Sequence, residues 1–156
     1  MIELFTDGAS SGNPGPGGFG IILRSGNHYK EISAGYRKTT NNRMELLAVI
    51  VGLETLKKTD IPVRVYSDSK YVIDAIEKKW VYGWYSKGFK DKKNKDLWLR
   101  LLPLLKRYQV QFTWVKGHNG HPENERCDEL AVHASKQNNL LIDSVFEAEN
   151  HPNTLL

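Results

Sequence analysis

Residues 2–36, IELFTDGASSGNPGPGGFGIILRSGNHYKEISAGY, decide the fold. Residues 2–6 alternate and mix β-branched with aromatic side chains, the pattern of a strand. Residues 8–18 are crowded with Gly, Pro, Asn and Ser and read as a loop. Residues 19–24 read as a second strand, Ser25-Gly26-Asn27 as a turn, and residues 28–36 as a weaker third strand. Strands joined by short connections predict an antiparallel meander.

Beyond this stretch the period changes. Met44, Leu47, Ala48, Val51, Leu53 (or Gly52) and Leu56 recur at helical spacing, with Asn41 or Asn42 as the expected N-cap. Residues 63–66 follow Pro62 as a fourth strand, and Ser67 is the expected cap of a helix over 69–78. Residues 79–95 predict a short helix and then a protruding loop. A further helix starts at Asn94 or Asp96 with a leucine face, residues 110–115 form a fifth strand, and a helix runs from Pro122 to about 137. The order βββ-α-β-α-α-α-β-α predicts an α/β fold. Its sheet is five-stranded and mixed, an antiparallel meander of strands 1–3 plus parallel strands 4 and 5, flanked by helices. A single domain over 1–141 is expected, followed by a C-terminal tail over 142–156 with no pattern, expected to fray.

Composition narrows the class. With 40% hydrophobic and 26% charged residues the chain has the balance of a globular protein. Cys127 is the one cysteine, which excludes an intramolecular disulfide and suits a reducing compartment. The N-terminal residues lack a basic and apolar leader pattern, and no apolar run approaches the length of a membrane span. A cytoplasmic, monomeric protein with no membrane association is the expectation. The net charge of +4 is unevenly spread: residues 78–95 hold seven lysines against one acid, Asp91. A local cationic patch is the footprint of a phosphate-backbone binder, although a lysine run is as often a solvated loop.

Three acids occupy telling places. Asp7 ends the first strand, Asp68 ends the fourth, and Glu45 lies in the first turn of the first helix. A fourth, Asp128, lies in the first half of the last helix. Strand ends of such sheets converge on one edge, where sites form. Gathered carboxylates repel one another unless cations neutralise them. Hard divalent cations take oxygen ligands, and Mg²⁺ keeps several waters while binding a few carboxylates and a substrate phosphate. Taken singly, an Asp after a strand is usually a turn former and a Glu in a first turn usually serves the helix dipole. Spacing alone does not show that the acids meet.

Phe5-Thr6-Asp7-Gly8, Gly12-Asn13-Pro14-Gly15-Pro16-Gly17-Gly18, Thr39-Thr40-Asn41-Asn42-Arg43-Met44-Glu45-Leu46, Ser67-Asp68-Ser69, Trp114-Val115-Lys116-Gly117-His118 and His121-Pro122-Glu123-Asn124-Glu125-Arg126-Cys127-Asp128-Glu129-Leu130-Ala131 together resemble bacterial ribonuclease HI, of the type I RNase H family. The resemblance implies an RNase H-like fold and an endonuclease that hydrolyses the RNA strand of RNA–DNA hybrids, leaving 3′-hydroxyl and 5′-phosphate ends. It implies two Mg²⁺ ions held by Asp7, Glu45, Asp68 and Asp128, with Asp7 bridging them and Mn²⁺ as a substitute. His118 matches the family's mobile histidine, a fifth catalytic group assisting proton transfer or product departure. Asn13, Asn41 and Asn42 match positions that contact the hybrid near the scissile site, and Thr40 and Asn94 match a pocket gripping a DNA phosphate. Trp80, Trp84 and the lysines after them, Lys87 included, match the basic protrusion that lies against the DNA strand. Amide side chains donate and accept, as does the 2′-hydroxyl that distinguishes RNA.

The chain also departs from the pattern. Lys70 stands where many relatives carry Gln, which adds charge beside the metal site and is expected to alter substrate affinity modestly. The protrusion is less charged at Tyr85-Ser86-Lys87 and looks shortened after Phe89. His118, His121 and Cys127 do not have a familiar zinc spacing and lack a fourth ligand. The Asn13–Gly17 loop lacks the Gly-Lys-Ser/Thr ending of a P-loop.

Overall fold

A computed structural model describes residues 1–117 and 120–150. Five strands form one sheet: β1 (Ile2–Ser10), β2 (Gly15–Ser25), β3 (His28–Thr39), β4 (Val63–Ser67) and β5 (Val110–Trp114), in the order β3-β2-β1-β4-β5. β1 pairs antiparallel with β2 and parallel with β4, β2 pairs antiparallel with β3, and β4 pairs parallel with β5. This is the mixed sheet predicted from the sequence. Among the described residues six helices flank it: α1 (Asn41–Thr55), α2 (Lys70–Glu77), α3 (Trp80–Ser86), α4 (Lys95–Arg107), α5 (Pro122–Ser135) and α6 (Ser144–Glu149).

Alternation along the strands sorts side chains to two faces. Ile2, Leu4, Phe19 and Ile21 join the main core with α1, whereas Phe5 and Ile22 form a smaller cluster with Cys127 of α5. α1 is buried nearly all round, from Arg43 to Ile50, because α4 covers the side that the sheet leaves open. The one-faced pattern read from the sequence understated this.

The Gly-rich stretch is less of a loop than expected. Residues 8–10 extend β1 and residues 15–18 begin β2, so Asp7 lies inside its strand and pairs with Gly20. Close helix approach explains the glycines. A Cβ at Gly8 would meet the backbone of Met44 and Glu45 at 2.5 Å, and one at Gly20 would collide with the Cys127 carbonyl. Both helices therefore ride on bare backbone.

Two caps also differ from expectation. Thr40, not Asn41 or Asn42, caps α1 by accepting from the Arg43 amide, and Ser69, not Ser67, caps α2 by accepting from Val72. Ser67 Oγ accepts from the Ser69 amide instead, tightening the turn that carries Asp68.

Within the tail expected to fray from 142, residues Ser144–Glu149 form α6. Asp143 is buried and accepts from Thr39 Oγ1 at 2.8 Å, and Glu147 forms a bidentate pair with Arg37. Leu141 also exchanges backbone hydrogen bonds with Gly35 and Arg37. Specific partners hold this helix, so its own hydrophobic period carried no signal. No helix among the described residues is long and apolar enough to cross a membrane.

Candidate active site

β1 and β4 run parallel side by side, with Phe5 in register with Tyr66, so Asp7 and Asp68 emerge from neighbouring strands toward the same edge. α1 supplies Glu45 one turn from its N-terminus. Asp7, Glu45 and Asp68 each offer a carboxylate oxygen, and these oxygens all lie within 4.8 Å of one another. Sequence spacing left this meeting open; the fold brings the three acids together.

The Gly8 amide donates to Asp7 Oδ1 at 2.9 Å and to Glu45 Oε1 at 3.2 Å. Glu45 Oε2, by contrast, is buried with no hydrogen-bonding partner among the described residues. Burial first, then the charges of Asp7 and Asp68, push the Glu45 carboxyl well above the usual carboxylate range, against the Gly8 amide. A buried carboxylate oxygen without a donor, facing two like charges, suits a hard cation, and an all-oxygen set matches Mg²⁺ or Mn²⁺ better than a soft metal. The residues present therefore fit a divalent cation.

Asp128 lies outside that trio. It is half-buried on α5, one residue after Cys127, whose Sγ reaches the Phe5 carbonyl at 3.4 Å. α5 packs on β1 and meets Gly20, the partner of Asp7, at Cys127, one residue before Asp128. Burial pushes the Cys127 thiol far up, leaving it a packing group and not a metal ligand. His118 lies outside the described residues.

The residues expected to touch nucleic acid separate into groups. Asn13 Oδ1 accepts from the Asn41 amide at 3.0 Å, and Asn41 Oδ1 accepts from the Ser10 amide at 2.9 Å, which ties the β1–β2 turn and the end of β1 to the start of α1. Asn13, Thr40, Asn42 and Asn94 line one cleft with Lys92, Lys93 and Lys95. A second cleft, lined by Trp80, Trp84 and Tyr71, shares Asn42, Lys92, Lys93 and Asn94 with the first. Trp80 is about half exposed, at 48%, and Lys78 lies over its ring. Trp84 packs edge-on against the buried Trp98 and holds Lys92 over its face, so its first task is structural. Lys87 is exposed at the end of α3. Lys70 leads α2 directly after the Asp68 turn, its ammonium 4.0 Å from the Trp114 ring centre, and the Trp114 indole donates to the Asp68 carbonyl.

Sequence reasoning missed the polar network behind the cleft. Arg43 is 2% exposed and grips Asp96 and Asp143 with paired hydrogen bonds. An arginine at the head of the run Met44–Leu53, in which Glu45 is the one other charged residue, was the available signal. Asn124 was also missed: it is buried on α5, and its Oδ1 has no hydrogen-bonding partner among the described residues.

Known proteins resemble this chain over most of its length. Residues 1–136 match the family model described as RNase H. A ribonuclease H of Desulforamulus reducens is 59% identical over 147 residues, covering 91% of this chain and 92% of that protein. One from Rippkaea orientalis is 54% identical over 151 residues, covering 94% and 92%. Among solved structures, LC9-RNase H1, a type 1 RNase H with the type 2 active-site motif, superposes with a TM-score of 0.75 at 31% identity, covering 99% of this chain and 82% of that one. LC11-RNase H1, solved in complex with an RNA/DNA hybrid, superposes with a TM-score of 0.66 at 25% identity, covering 94% and 99%.

Proposed function

This chain belongs to the ribonuclease H family, and on that premise we propose that it is the endonuclease that hydrolyses the RNA strand of RNA–DNA hybrids, with divalent cations at its carboxylates. The observation that carries the reading is the meeting of Asp7, Glu45 and Asp68, with one buried Glu45 oxygen left for a cation.

Asp7, Glu45 and Asp68 would hold Mg²⁺, or Mn²⁺ in its place, and Asp128 would complete a two-ion site from α5. Such ions, when bound, lower the pKa of a coordinated water and neutralise charge on a phosphate under in-line attack. The chain's own residues do the rest. Asp7 and Glu45 are oriented by the shared Gly8 amide, and the turn at Ser67–Ser69 sets Asp68 beside them. His118 would carry the proton to the departing 3′ oxygen, leaving 3′-hydroxyl and 5′-phosphate ends. Asn13, Asn41 and Asn42 would sense 2′-hydroxyls near the scissile bond, and Trp80, Trp84, Lys87 and their neighbouring lysines would lie along the DNA strand.

The test is cleavage of a strand-labelled RNA–DNA hybrid with Mg²⁺, beside EDTA, double-stranded RNA and double-stranded DNA. Magnesium-dependent cutting of the hybridised RNA alone is expected. Equal cutting of duplex DNA would point to another nuclease chemistry on this scaffold, and binding of the hybrid without cutting under Mg²⁺ and Mn²⁺ would point to a binding module.

A further inference from the structure

α5 reaches the sheet over glycine. The carbonyls of Cys127, Ala131 and Ala134 lie where side chains at Gly20, Gly18 and Gly35 would stand. A track without Cβ atoms lets the helix come close. It offers no knob, however, to stop the helix from shifting along its own axis, and Asp128 moves with any such shift. Directed contacts must therefore set the register of α5 against β1.

One such contact is weak: Cys127 Sγ meets the Phe5 carbonyl at 3.4 Å, and a thiol is a poor donor. Another leads away from the acids, because Arg126 pairs with Glu31 of β3, two strands from β1. A third reaches the strands of the site. Arg24 of β2 donates through Nη1 to Glu123 Oε1 at 2.7 Å, in the first turn of α5, and through Nε to Glu3 Oε1 of β1 at 3.0 Å. Its guanidinium lies 5.1 Å from the Phe5 ring centre. Phe5 stacks on Tyr66 of β4 at 4.6 Å with the ring planes 11° apart, and Tyr66 Oη donates to Glu3 Oε2 at 3.2 Å. One cation thus joins β2, β1, β4 and α5. Phe5 and Tyr66 stand two residues before Asp7 and Asp68, and Glu123 stands five before Asp128. Strand alternation puts Phe5 and Asp7 on one face, so the stack is the layer beneath the carboxylates.

We propose that Arg24 is a positioning residue: through Glu123 it fixes the register of α5 against the strands that lead to Asp7 and Asp68, and so sets the reach of Asp128 to a second cation. This rests on the reading above that Asp128 holds a cation, and it adds a residue that is not itself a ligand. Groups that orient metal ligands govern affinity without bonding the metal. The sign of the effect separates this role from simple charge. Arg24 is a cation, so by charge alone its removal would tighten cation binding. Loss of register weakens it.

The test is binding, without catalysis. Mn²⁺ is titrated into the metal-free protein and its uptake followed by electron paramagnetic resonance. Asp128→Asn identifies the ion that Asp128 holds, by weakening it. Arg24→Gln should weaken that same ion by about tenfold. Its thermal midpoint should stay near that of the wild type, because a pair 37% and 27% exposed adds little stability. Arg126→Gln removes the same charge from the other contact of α5 and should leave the ion as tight as in the wild type, or tighter. In the Asp128→Asn background Arg24→Gln should cause no further loss, since both act through one group. Should Arg24→Gln not fold, Glu123→Gln breaks the pair from its other side and should show the same coupling to Asp128. Unchanged or tighter binding by Arg24→Gln, or an equal loss with and without Asp128, would overturn the proposal and leave the hybrid-cleaving reading standing. An Asp128→Asn protein that binds Mn²⁺ like the wild type overturns it by removing its premise. Wild type that binds no Mn²⁺ at all defeats the reading beneath.

Discussion

The Gly8 amide sits 3.2 Å from Glu45 Oε1 across 37 residues of sequence, and the same N–H lies 2.9 Å from Asp7 Oδ1. One backbone donor thus spaces two carboxylates that would otherwise repel, and only a residue without a side chain lets α1 come close enough to share it.

Gly8→Ala should therefore damage the site through geometry. Its Cβ would meet backbone atoms of Met44 and Glu45 that no rotamer change can move aside. Stability should fall by about 1–3 kcal/mol, the usual cost of overpacking. Cleavage should fall further than stability explains, because Glu45 is displaced. Denaturant melts compared with turnover at a temperature where the variant is fully folded would check this; parallel losses would show that the close approach matters to folding alone.

Asp7→Asn should remove metal-dependent turnover while leaving a cooperative melt. Its pairing with Gly20 and its place within β1 use backbone groups that the substitution retains. Substantial residual cleavage in Mg²⁺ would contradict a central role for this carboxylate. Asp128→Asn tests whether the acid outside the trio also belongs to the site, and a loss of comparable size is expected.

Glu45 should make the metal-free protein sensitive to pH. An acid whose carboxyl is raised in the folded state stabilises the fold most at low pH, below its unfolded value near 4.3. That contribution is lost as the pH rises through the raised folded value. In EDTA at neutral pH, Glu45→Gln should melt higher than wild type by about 2–4 °C for each kcal/mol of repulsion removed. Added Mg²⁺ should raise the wild-type midpoint and move the variant less. A lower midpoint for the variant in EDTA would mean that the carboxylate is stabilising where it stands.

The Arg43 network should make itself felt in acid. Burial opposes ionisation of Asp96, yet the Arg43 hydrogen bonds hold its carboxyl below the ordinary range. Its stabilisation is present above the unfolded value near 3.9 and is lost as the pH falls through the lower folded value. Asp143→Asn, which leaves buried Arg43 with one carboxylate, should cost about 3 kcal/mol at neutral pH and steepen acid unfolding. Urea midpoints at pH 7 and pH 3 for both proteins would decide it.

Lys70→Gln should weaken hybrid affinity by a few fold at low salt and less at high salt, since one exposed charge acts through screened attraction. The Trp114 ring holds the ammonium 4.0 Å from its centre beside the Asp68 turn, close to where a phosphate would meet the trio. Unchanged affinity and rate across salt would leave Lys70 as a surface partner of Trp114.

Local pattern was enough for much of this protein. Alternation in residues 2–36 and the helical period of residues 44–56 sufficed for the sheet's composition and for the helix that carries Glu45, because those periods are what burial on one face demands. The motifs around Asp7, Glu45, Asp68 and Asp128 were legible as a family likeness. Their meeting was not: Asp7 and Asp68 come together through the parallel pairing of β1 with β4, a contact across about sixty residues that no local spacing encodes. The same limit hid the caps at Thr40 and Ser69, the glycines that are strand and not loop, and the tail helix. Hydrogen-bond partners distant in the chain settle each of these, whereas periodicity reports only which side of an element meets the core. The sequence by itself thus determined the elements and the chemistry available to them. The tertiary structure alone decided that three carboxylates share one cation-sized space, and that buried Arg43 is shared between Asp96 and Asp143, since both depend on distances between groups that the chain keeps far apart.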